Sequence, residues 1–223
     1  MSPRVLVIGA GGLGCPAVLA LALEGVRDVS VADADLVEPS NLHRQLWHHD
    51  SDVGRPKVES LAARAQAAFP ELRLEALRTR VDASNAAGLF RAHDWVLDGT
   101  DRVSVKLMLS DVSVRTGVPL VYGGVVKFEG LVFKVAPGGP CLRCVYEEAP
   151  RDEDVATCSS AGVLGSLAGV VGALQVEAGL RGTAGTLVRV DGLTGAVRRV
   201  KVAQNPGCPM CGVEVPQRAR QDA

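Results

Sequence analysis

The sequence predicts an α/β fold in which a doubly wound, mostly parallel sheet carries helices on both faces. Two observations indicate this class. Strand-like apolar segments alternate with helical segments through the first half of the chain, and a glycine cluster joins the first strand to the first helix. Such alternation favours parallel strands linked by crossover helices, as in Rossmann-like folds. After residue 123 the pattern changes to pairs of strands, which predicts that antiparallel strands extend the sheet in the C-terminal half.

Apolar runs, prolines and glycines define the predicted elements of the first half. Residues 4–8 form an apolar strand, and the alanine- and leucine-rich segment behind the glycines forms a helix. Pro70 ends one later helix, and Gly117 with Pro119 ends another, because proline cannot continue a helix and glycine favours its C-terminal end. The predicted strands are 4–8, 29–33, 72–77, 95–98 and 120–122, and the predicted helices are 13–24, 57–69, 83–91 and 103–115.

The second half is predicted to contain two hairpins with one long helix between them. Residues 125–135, VVKFEGLVFKV, form the first hairpin, and residues 186–190 and 196–202 pair around DGLTG. The segment 155–176 carries no charge and is long enough to cross a bilayer. Its serines, its glutamine and its recurring glycines favour instead a buried, closely packed helix over about 161–180.

Composition indicates an ordinary globular protein. The chain has 223 residues, of which 47% are hydrophobic and 22% charged, so it can bury a core and does not resemble a disordered chain. A formal net charge of -1 gives no reason to expect nucleic acid or a membrane surface as a partner. No basic-then-apolar leader precedes Val5, so a cytoplasmic location is expected. In that compartment cysteines favour metal binding or catalysis over disulfides.

The segment GAGGLG after the first strand predicts a nucleotide site. Gly9 permits a tight turn, Gly11 lets a phosphate approach the backbone, and Gly14 lets the helix pack closely on the strand. The helix N-terminus then offers free N–H groups to the phosphates, and Gly12 belongs to the same loop. Asp33 ends the second strand, where an acid can accept hydrogen bonds from ribose hydroxyls; a turn-forming acid is the alternative interpretation.

Polar and basic residues behind Asp33 favour a triphosphate over a dinucleotide. Cations at a phosphate chain neutralise the charge that builds at phosphorus during attack. On charge alone, a solvated basic loop is the favoured interpretation of these residues. The residues concerned are Asn41, Arg44, Gln45, Arg55 and Lys57.

Two CxxC pairs predict a structural zinc site. Cys141 with Cys144 and Cys208 with Cys211 can supply four thiolates, which form a closed tetrahedral site with no position for water. Redox dithiols or unbonded cysteines are the alternatives. The expected single domain, 1–223, thus comprises a nucleotide-binding half (1–123), a strand-rich, zinc-binding half (124–212) and a tail (213–223).

The motifs together resemble the MoeB/ThiF family from residue 5 to residue 212. GAGGLG, DADLVEPSNLHRQ, GRPKVES, LDGTD, the two CxxC pairs and ATCSSAGVLG occur in the order seen in that family. The resemblance implies an ATP-dependent adenylyltransferase that activates the C-terminal glycine carboxylate of a ubiquitin-like sulfur carrier ending in Gly-Gly. It also implies ATP, Mg²⁺ and Zn²⁺ as cofactors, a homodimer, and a sulfurtransferase as a second partner.

The resemblance assigns roles to individual residues. Asp33 corresponds to the family's ribose-binding acid, and Asp101 of LDGTD corresponds to the acid that holds magnesium, although it could also cap the following helix. Lys57 of GRPK corresponds to a lysine that contacts phosphate. The family's residues that contact the polyphosphate correspond to Asn41, Arg44 and Gln45 of SNLHRQ.

The remaining cysteines and histidines have weaker patterns. Cys158 corresponds to a loop cysteine that forms a thioester or an acyl disulfide in some members, and a helix N-terminus would lower the pKa of its thiol. A small buried residue at a helix start explains Cys158 equally well. Cys15 is interpreted as a packing residue, and His48 and His49 as part of a solvated loop.

The chain departs from the family pattern at two points. Members usually carry an N-terminal helical segment with an arginine that reaches the partner subunit's ATP, whereas a strand already starts at Arg4 here. Arg102 follows Asp101, where asparagine is frequent. These departures keep a non-catalytic or partner-dependent subunit as one alternative function. A nicotinamide-dependent oxidoreductase is the other, and it leaves SNLHRQ, GRPK and the CxxC pairs without a role.

Overall fold

A computed structural model describes residues 2–146, 152–153 and 162–212. Two short 3-10 turns, Pro39–Asn41 and Asp50–Asp52, lie between the second strand and the second helix. The helices and strands are, in chain order, β1 (Arg4–Ile8), α1 (Gly14–Leu23), β2 (Asp28–Ala32), α2 (Lys57–Ala68), β3 (Arg73–Leu77), α3 (Ala86–Arg91), β4 (Trp95–Asp98), α4 (Val103–Thr116), β5 (Leu120–Val126), β6 (Glu129–Val135), α5 (Leu142–Val145), α6 (Gly165–Arg181), β7 (Thr186–Asp191) and β8 (Val197–Lys201).

The strands form one eight-stranded sheet in the order β3-β2-β1-β4-β5-β6-β7-β8. The pairs from β3 to β5 are parallel, and the pairs from β5 to β8 are antiparallel. The strand order reverses between β1 and β4, so the connections leave these two strands in opposite directions and open a crevice at their carboxyl ends. The predicted α/β class, with a parallel sheet extended by antiparallel strands, is confirmed.

Most predicted elements agree with the observed bounds to within a few residues. Strand β5 runs four residues further than predicted, because it pairs with β6 along its whole length up to Val126 opposite Glu129. Helix α3 begins at Ala86 and not at 83. The reason is a local turn in which Asp82 Oδ1 accepts hydrogen bonds from the N–H and the hydroxyl of Ser84.

The core lies on both faces of the sheet. In β1, Val5 and Val7 pack into one buried cluster with residues of α1, α2 and α6. Leu6 and Ile8 pack into the opposite cluster with residues of α3 and α4. This alternation is expected for a central parallel strand that is covered on both sides. It fixes β1 rigidly in the sheet, with the glycine loop at its carboxyl end.

Helix α6 packs closely against α1 through small residues. A Cβ on Gly172 would lie 2.6 Å from the carbonyl oxygen of Leu13 and 2.8 Å from Pro16 Cγ, so the approach requires glycine. Gln175 is 1% exposed and donates hydrogen bonds to the carbonyls of Asp98 and Val121. The helix predicted for this segment is confirmed over Gly165–Arg181, whereas residues 162–164 are not helical and Val163 pairs with Lys127 in an isolated β-bridge. Among the helices described, none has the length and apolar character that crossing a membrane requires.

Candidate nucleotide site and cysteine cluster

A cavity of about 410 Å³ opens at the carboxyl ends of the parallel strands. It lies where the strand order reverses, which is where open parallel sheets bind ligands, and its volume suits a small molecule. Three turns form much of its wall: those that follow β1, β2 and β4. The predicted site residues that line it are Gly9, Gly11, Gly12, Asp33, Arg44, Gln45, Lys57 and Asp101.

The glycine loop leaves backbone donors available at the start of α1. Gly9 has φ of 99°, and a Cβ on Gly14 would overlap the carbonyl oxygen of Gly9. Gly14 therefore lies behind the cavity wall and allows the helix to start directly after the turn. Within the described residues the N–H groups of Gly11, Gly12 and Leu13 have no acceptor. Such donors at a helix N-terminus favour an anion.

Asp33 holds the glycine loop in addition to lining the cavity. Its Oδ2 accepts the N–H of Ala10 at 2.8 Å, and its Oδ1 accepts the N–H of Asp35 at 2.8 Å. The turn-forming interpretation is therefore correct. Each carboxylate oxygen retains further acceptor capacity, so the same side chain is still able to accept hydrogen bonds from ribose hydroxyls.

Lys57 forms an ion pair inside the cavity. It is 6% exposed at the start of α2, and its Nζ lies 3.1 Å from Asp35 Oδ2. Arg80, which follows β3, approaches the other oxygen of Asp35 at 3.7 Å. Sequence reasoning missed Asp35 and Arg80 as cavity residues. The DAD spacing could have indicated Asp35, whereas no local pattern marks Arg80.

Arg44 lines the cavity and Asn41 supports it from behind. Asn41 Oδ1 accepts a hydrogen bond of 2.6 Å from Arg44 Nη2, and the carbonyl of Ser40 accepts one of 3.3 Å from Nη1. Asn41 does not itself line the cavity, and its side chain contacts Arg44. The three candidate residues of SNLHRQ thus differ in position: Arg44 and Gln45 line the cavity, and Asn41 does not.

Gln45 carries a buried polar atom without a partner. The residue is 5% exposed, and Oε1 is the one buried side-chain nitrogen or oxygen that lacks a hydrogen bond in the described part of the chain. The amide lies against the glycine loop, because a Cβ on Gly11 would be 3.3 Å from Gln45 Nε2. Buried polar groups are normally paired, so an unpaired one in a cavity wall fits a polar ligand.

The turn after β4 is built by a buried ion pair that the sequence did not reveal. Asp98 is 0% exposed, and its Oδ1 accepts hydrogen bonds from the N–H and hydroxyl of Thr100 at 2.9 and 2.7 Å. Its Oδ2 lies 3.1 Å from Lys106 Nζ, which also donates to the carbonyl of Gly123 at 2.6 Å. These contacts fix the turn that carries Asp101.

Asp101 is exposed at the edge of the cavity and does not cap α4. The capping position is Arg102, which makes no side-chain capping bond. Asp152 takes that role: it accepts the N–H of Ser104 at 2.9 Å and the hydroxyl of Ser104 at 2.6 Å. The helix-cap alternative for Asp101 is therefore wrong, and its carboxylate lies beside the cavity where a cation could bind.

His48 is buried, so the prediction that it belongs to a solvated loop is wrong. It is 3% exposed; Nε2 lies 2.9 Å from the carbonyl oxygen of Ala10 and Nδ1 lies 2.9 Å from Ser60 Oγ. The polar sequence around it suggested exposure, but α1 and α2 come together over this side chain. Burial lowers the pKa of His48. His49 is exposed, as predicted.

Cys15 packs in the core below the glycine loop, as predicted. It is 0% exposed, and its Sγ lies 3.3 Å from the carbonyl oxygen of Ala10. Burial raises the pKa of the Cys15 thiol to about 12, so it remains protonated at neutral pH. Cys158 lies outside the described residues, and its role remains a prediction.

The four cysteines of the CxxC pairs converge in space. Their sulfur atoms lie within 4.8 Å of one another, with Cys141 and Cys208 3.6 Å apart and Cys144 and Cys211 3.3 Å apart. A disulfide would need about 2.05 Å, whereas four thiolates at about 2.3 Å from one ion have sulfur separations of this order. The predicted cluster is confirmed, and its chemistry fits a thiophilic metal.

The second pair has the hydrogen bonds of a metal-binding knuckle. Burial alone would raise the pKa of Cys208, but hydrogen bonds from the backbone N–H groups of Cys211 and Met210 and from the neighbouring thiols outweigh it and lower the pKa to about 6. Burial raises the pKa of Cys211 to about 11 and also raises that of Cys141, so the low value belongs to one thiol of the cluster. Amide donors that stabilise a thiolate also suit it as a metal ligand.

Comparisons with known proteins agree with this geometry. A family model described as the ThiF family matches residues 1–210. The SAMP-activating enzyme E1 of Haloferax volcanii is 42% identical over 219 residues, which are 95% of this chain and 81% of that protein. The sulfur carrier protein adenylyltransferase of Thermus thermophilus is 38% identical over 231 residues, which are 98% of this chain and 85% of that protein.

A solved structure supports the fold. The crystal structure of Escherichia coli MccB with ATP has a TM-score of 0.80 and 18% sequence identity, and the match covers 95% of this chain and 67% of that one. At this identity the likeness concerns the fold alone. The family match and the two relatives place the sequence more narrowly: this chain belongs to the ThiF family.

Proposed function

We propose that this chain is an ATP-dependent adenylyltransferase that activates the C-terminal glycine carboxylate of a ubiquitin-like sulfur carrier ending in Gly-Gly. The names of the two relatives, at 42% and 38% identity, support this reaction class over a nicotinamide-dependent oxidoreductase. The observation that carries the proposal for this chain is the cavity itself. It brings Arg44, Lys57 and Asp101 together beside the glycine loop.

In the proposed complex the nucleotide follows the carboxyl ends of β1 and β2. Asp33 accepts hydrogen bonds from the ribose hydroxyls, and the N–H groups of Gly11 and Gly12 donate to the phosphates. Arg44, Gln45 and Lys57 contact the polyphosphate, so their charges offset those of the nucleotide. Asn41 acts indirectly, since its contact with Arg44 fixes the guanidinium.

The chemistry needs little covalent participation by the protein. A glycine carboxylate is ionised at neutral pH, because α-carboxyl groups have a pKa of about 3.5. Its oxygen attacks the α-phosphorus, and the bond from that phosphorus to the oxygen shared with the β-phosphate breaks. Pyrophosphate is released, and the carrier becomes an acyl-adenylate. Two anions must approach, so the protein contributes by alignment and by positive charge from Arg44 and Lys57. Mg²⁺, held at Asp101, would supply further positive charge at the phosphates.

The cysteine cluster is proposed to have a structural role. Cys141, Cys144, Cys208 and Cys211 would hold Zn²⁺ in a closed site and join the start of α5 to the segment that follows β8. A homodimer and a sulfurtransferase that acts on the adenylate are also part of the proposal. Cys158 is proposed to act in a later thioester or acyl-disulfide step.

Carrier-dependent exchange of pyrophosphate into ATP tests the proposal. The purified chain, with ATP and Mg²⁺, should exchange labelled pyrophosphate only when a cognate carrier is present. A carrier lacking its last glycine is the matched control and should support no exchange. Asp101→Ala should reduce exchange by at least tenfold. Tight binding of ATP and carrier with no exchange would contradict the proposal and support the non-catalytic alternative.

A further inference from the structure

His48 lies directly beneath the glycine loop, and the proposed chemistry gives it no role. It is 3% exposed and is not part of the cavity lining, so it cannot touch a nucleotide bound there. Both ring nitrogens are nevertheless engaged: Nε2 with the carbonyl oxygen of Ala10 and Nδ1 with Ser60 Oγ, each at 2.9 Å. Two such contacts allow this buried side chain to fix the positions of the groups that it contacts.

The residue that His48 holds is the variable residue between the first two glycines of the motif. The N–H of Ala10 donates to Asp33 Oδ2 at 2.8 Å. Its carbonyl oxygen accepts from His48 Nε2 at 2.9 Å and from Cys15 Sγ at 3.3 Å. Ala10 is therefore fixed from both sides, by the acid at the end of β2 and by donors on the opposite side of the loop.

Fixing the carbonyl of Ala10 also fixes the next N–H group. A trans peptide is planar, and its C=O and N–H point in opposite directions; no cis peptide occurs among the described residues. The N–H of Gly11 must therefore point away from His48. Gly11 lines the cavity and its N–H has no acceptor in the described part of the chain.

We infer that His48 is a positioning residue that aims the backbone N–H of Gly11 at the phosphate chain of the nucleotide. The inference rests on the proposed nucleotide site. It assigns to His48 an indirect role, through one peptide group, in place of contact with the reacting atoms.

The hydrogen bonds define which ring nitrogen of His48 carries the proton. Nε2 must carry a proton, because its partner is a carbonyl, and Nδ1 then accepts from the hydroxyl of Ser60. Ser60 lies in α2, one turn after Lys57, and is 0% exposed. His48 therefore links the glycine loop to the helix that carries the proposed phosphate lysine. Burial lowers the pKa of the imidazole, and Lys57 lowers it further, whereas the hydrogen bond with Ala10 and the charges of Asp52 and Asp33 raise it.

Two substitutions separate the two hydrogen bonds of His48. A glutamine places its Nε2 about as far along the side chain as the histidine Nε2, so His48→Gln keeps a donor for Ala10 and loses the contact with Ser60. An asparagine reaches only as far as the histidine Nδ1, so His48→Asn keeps a group near Ser60 and loses the donor. Both variants lose the ring, which makes them matched controls for the loss of packing.

Calorimetry with two ligands tests the inference on the full chain. ATP with Mg²⁺ reports the phosphate contacts, and adenosine reports the rest of the pocket. We expect His48→Asn to weaken ATP binding on the order of tenfold, the effect of one hydrogen bond to a charged group, and to leave adenosine binding unchanged. His48→Gln should bind ATP within about twofold of the wild type. Thermal unfolding of each variant checks that it is folded.

His48→Met provides a second test if His48→Asn does not fold, since it fills the buried site without a donor and should show the same selective loss. Equal ATP affinity of wild type and donor-less variants would overturn the inference, and so would a parallel loss of ATP and adenosine binding. A wild-type chain that binds adenosine and ATP equally well would overturn the proposed phosphate site and this inference with it.

Discussion

Lys57 and Asp35 form an ion pair within the candidate nucleotide cavity, with Nζ and Oδ2 3.1 Å apart. The lysine side chain is 8% exposed and the aspartate side chain 56% exposed, so the cation is held inside while its partner faces solvent. The pair orients the Lys57 ammonium group before any nucleotide arrives. A triphosphate that enters must compete with the Asp35 carboxylate for this ammonium group.

Removing the lysine should weaken ATP binding more than adenosine binding. Lys57→Met deletes the cation and leaves the Asp35 carboxylate to repel the phosphates. We expect the Kd for ATP to rise roughly tenfold to a hundredfold, or about 1.4–2.8 kcal/mol, with little change for adenosine. Adding Asp35→Asn to that variant should recover several-fold of the ATP affinity, because the repelling charge is gone. Calorimetry on both variants measures this; no recovery in the double variant would refute the competition between Asp35 and phosphate.

Breaking the buried pair beneath the Asp101 turn should destabilise the whole fold. Lys106→Met leaves Asp98, which is 0% exposed, without its cation. The expected cost is about 3–5 kcal/mol, which lowers Tm by roughly 10 °C in a chain of this size. The double variant with Asp98→Asn should recover much of that loss, since no buried charge remains. Thermal unfolding of the two variants decides it, and additive losses would contradict the account.

The cysteine cluster should bind one zinc ion per chain. We expect metal analysis to find one equivalent, and a strong chelator to lower Tm by several degrees, because the metal joins two distant segments. Cys208→Ser should reduce both the metal content and Tm. Cys158→Ser is the matched control and should change neither, since four thiolates already complete a tetrahedral zinc site. Full stability of the metal-free chain would contradict a structural role.

Acid should weaken the turn that precedes α2. Burial would raise the pKa of Asp52, but hydrogen bonds from the His49 N–H and from Arg64 outweigh it and lower the pKa to about 2. In the unfolded chain the same carboxyl titrates near 3.9, so its contribution is complete above that pH and is lost as the pH falls toward 2. The amount at stake is on the order of 2 kcal/mol. Denaturant unfolding between pH 5 and 2 should show this loss in the wild type. Asp52→Asn should show a smaller one; an equal loss in both would disprove the assignment.

Features with a local pattern could be predicted from the sequence. The apolar run 4–8 and the alanine- and leucine-rich segment after the glycines predicted β1 and its helix. The position of Asp33 at the end of the second strand predicted that it would lie at the nucleotide site. The CxxC spacing predicted that Cys141 and Cys208 would meet, although 67 residues separate them in the chain. In each case a short motif contains the chemistry, and the fold only has to bring the motifs together.

Features that depend on distant partners could not be predicted. His48 stands in a polar segment, and only the packing of α1 against α2 buries it. Asp98 is the first acid of LDGTD, but its partner Lys106 is one of several lysines until α4 folds back over the turn. Asn41 carries the family pattern, yet the way its loop folds directs it to Arg44 and away from the cavity. These positions are set by three-dimensional packing, on which the local sequence gives no information.

A crystal structure of the chain with a non-hydrolysable ATP analogue and Mg²⁺ would show where the phosphates bind. We expect the triphosphate to follow the glycine loop, with phosphate oxygens within hydrogen-bond distance of the Gly11 N–H, Arg44 and Lys57, and with the metal ion at Asp101. A bound nucleotide whose phosphates lie elsewhere, with Arg44, Lys57 and Asp101 directed to bulk solvent, would contradict it.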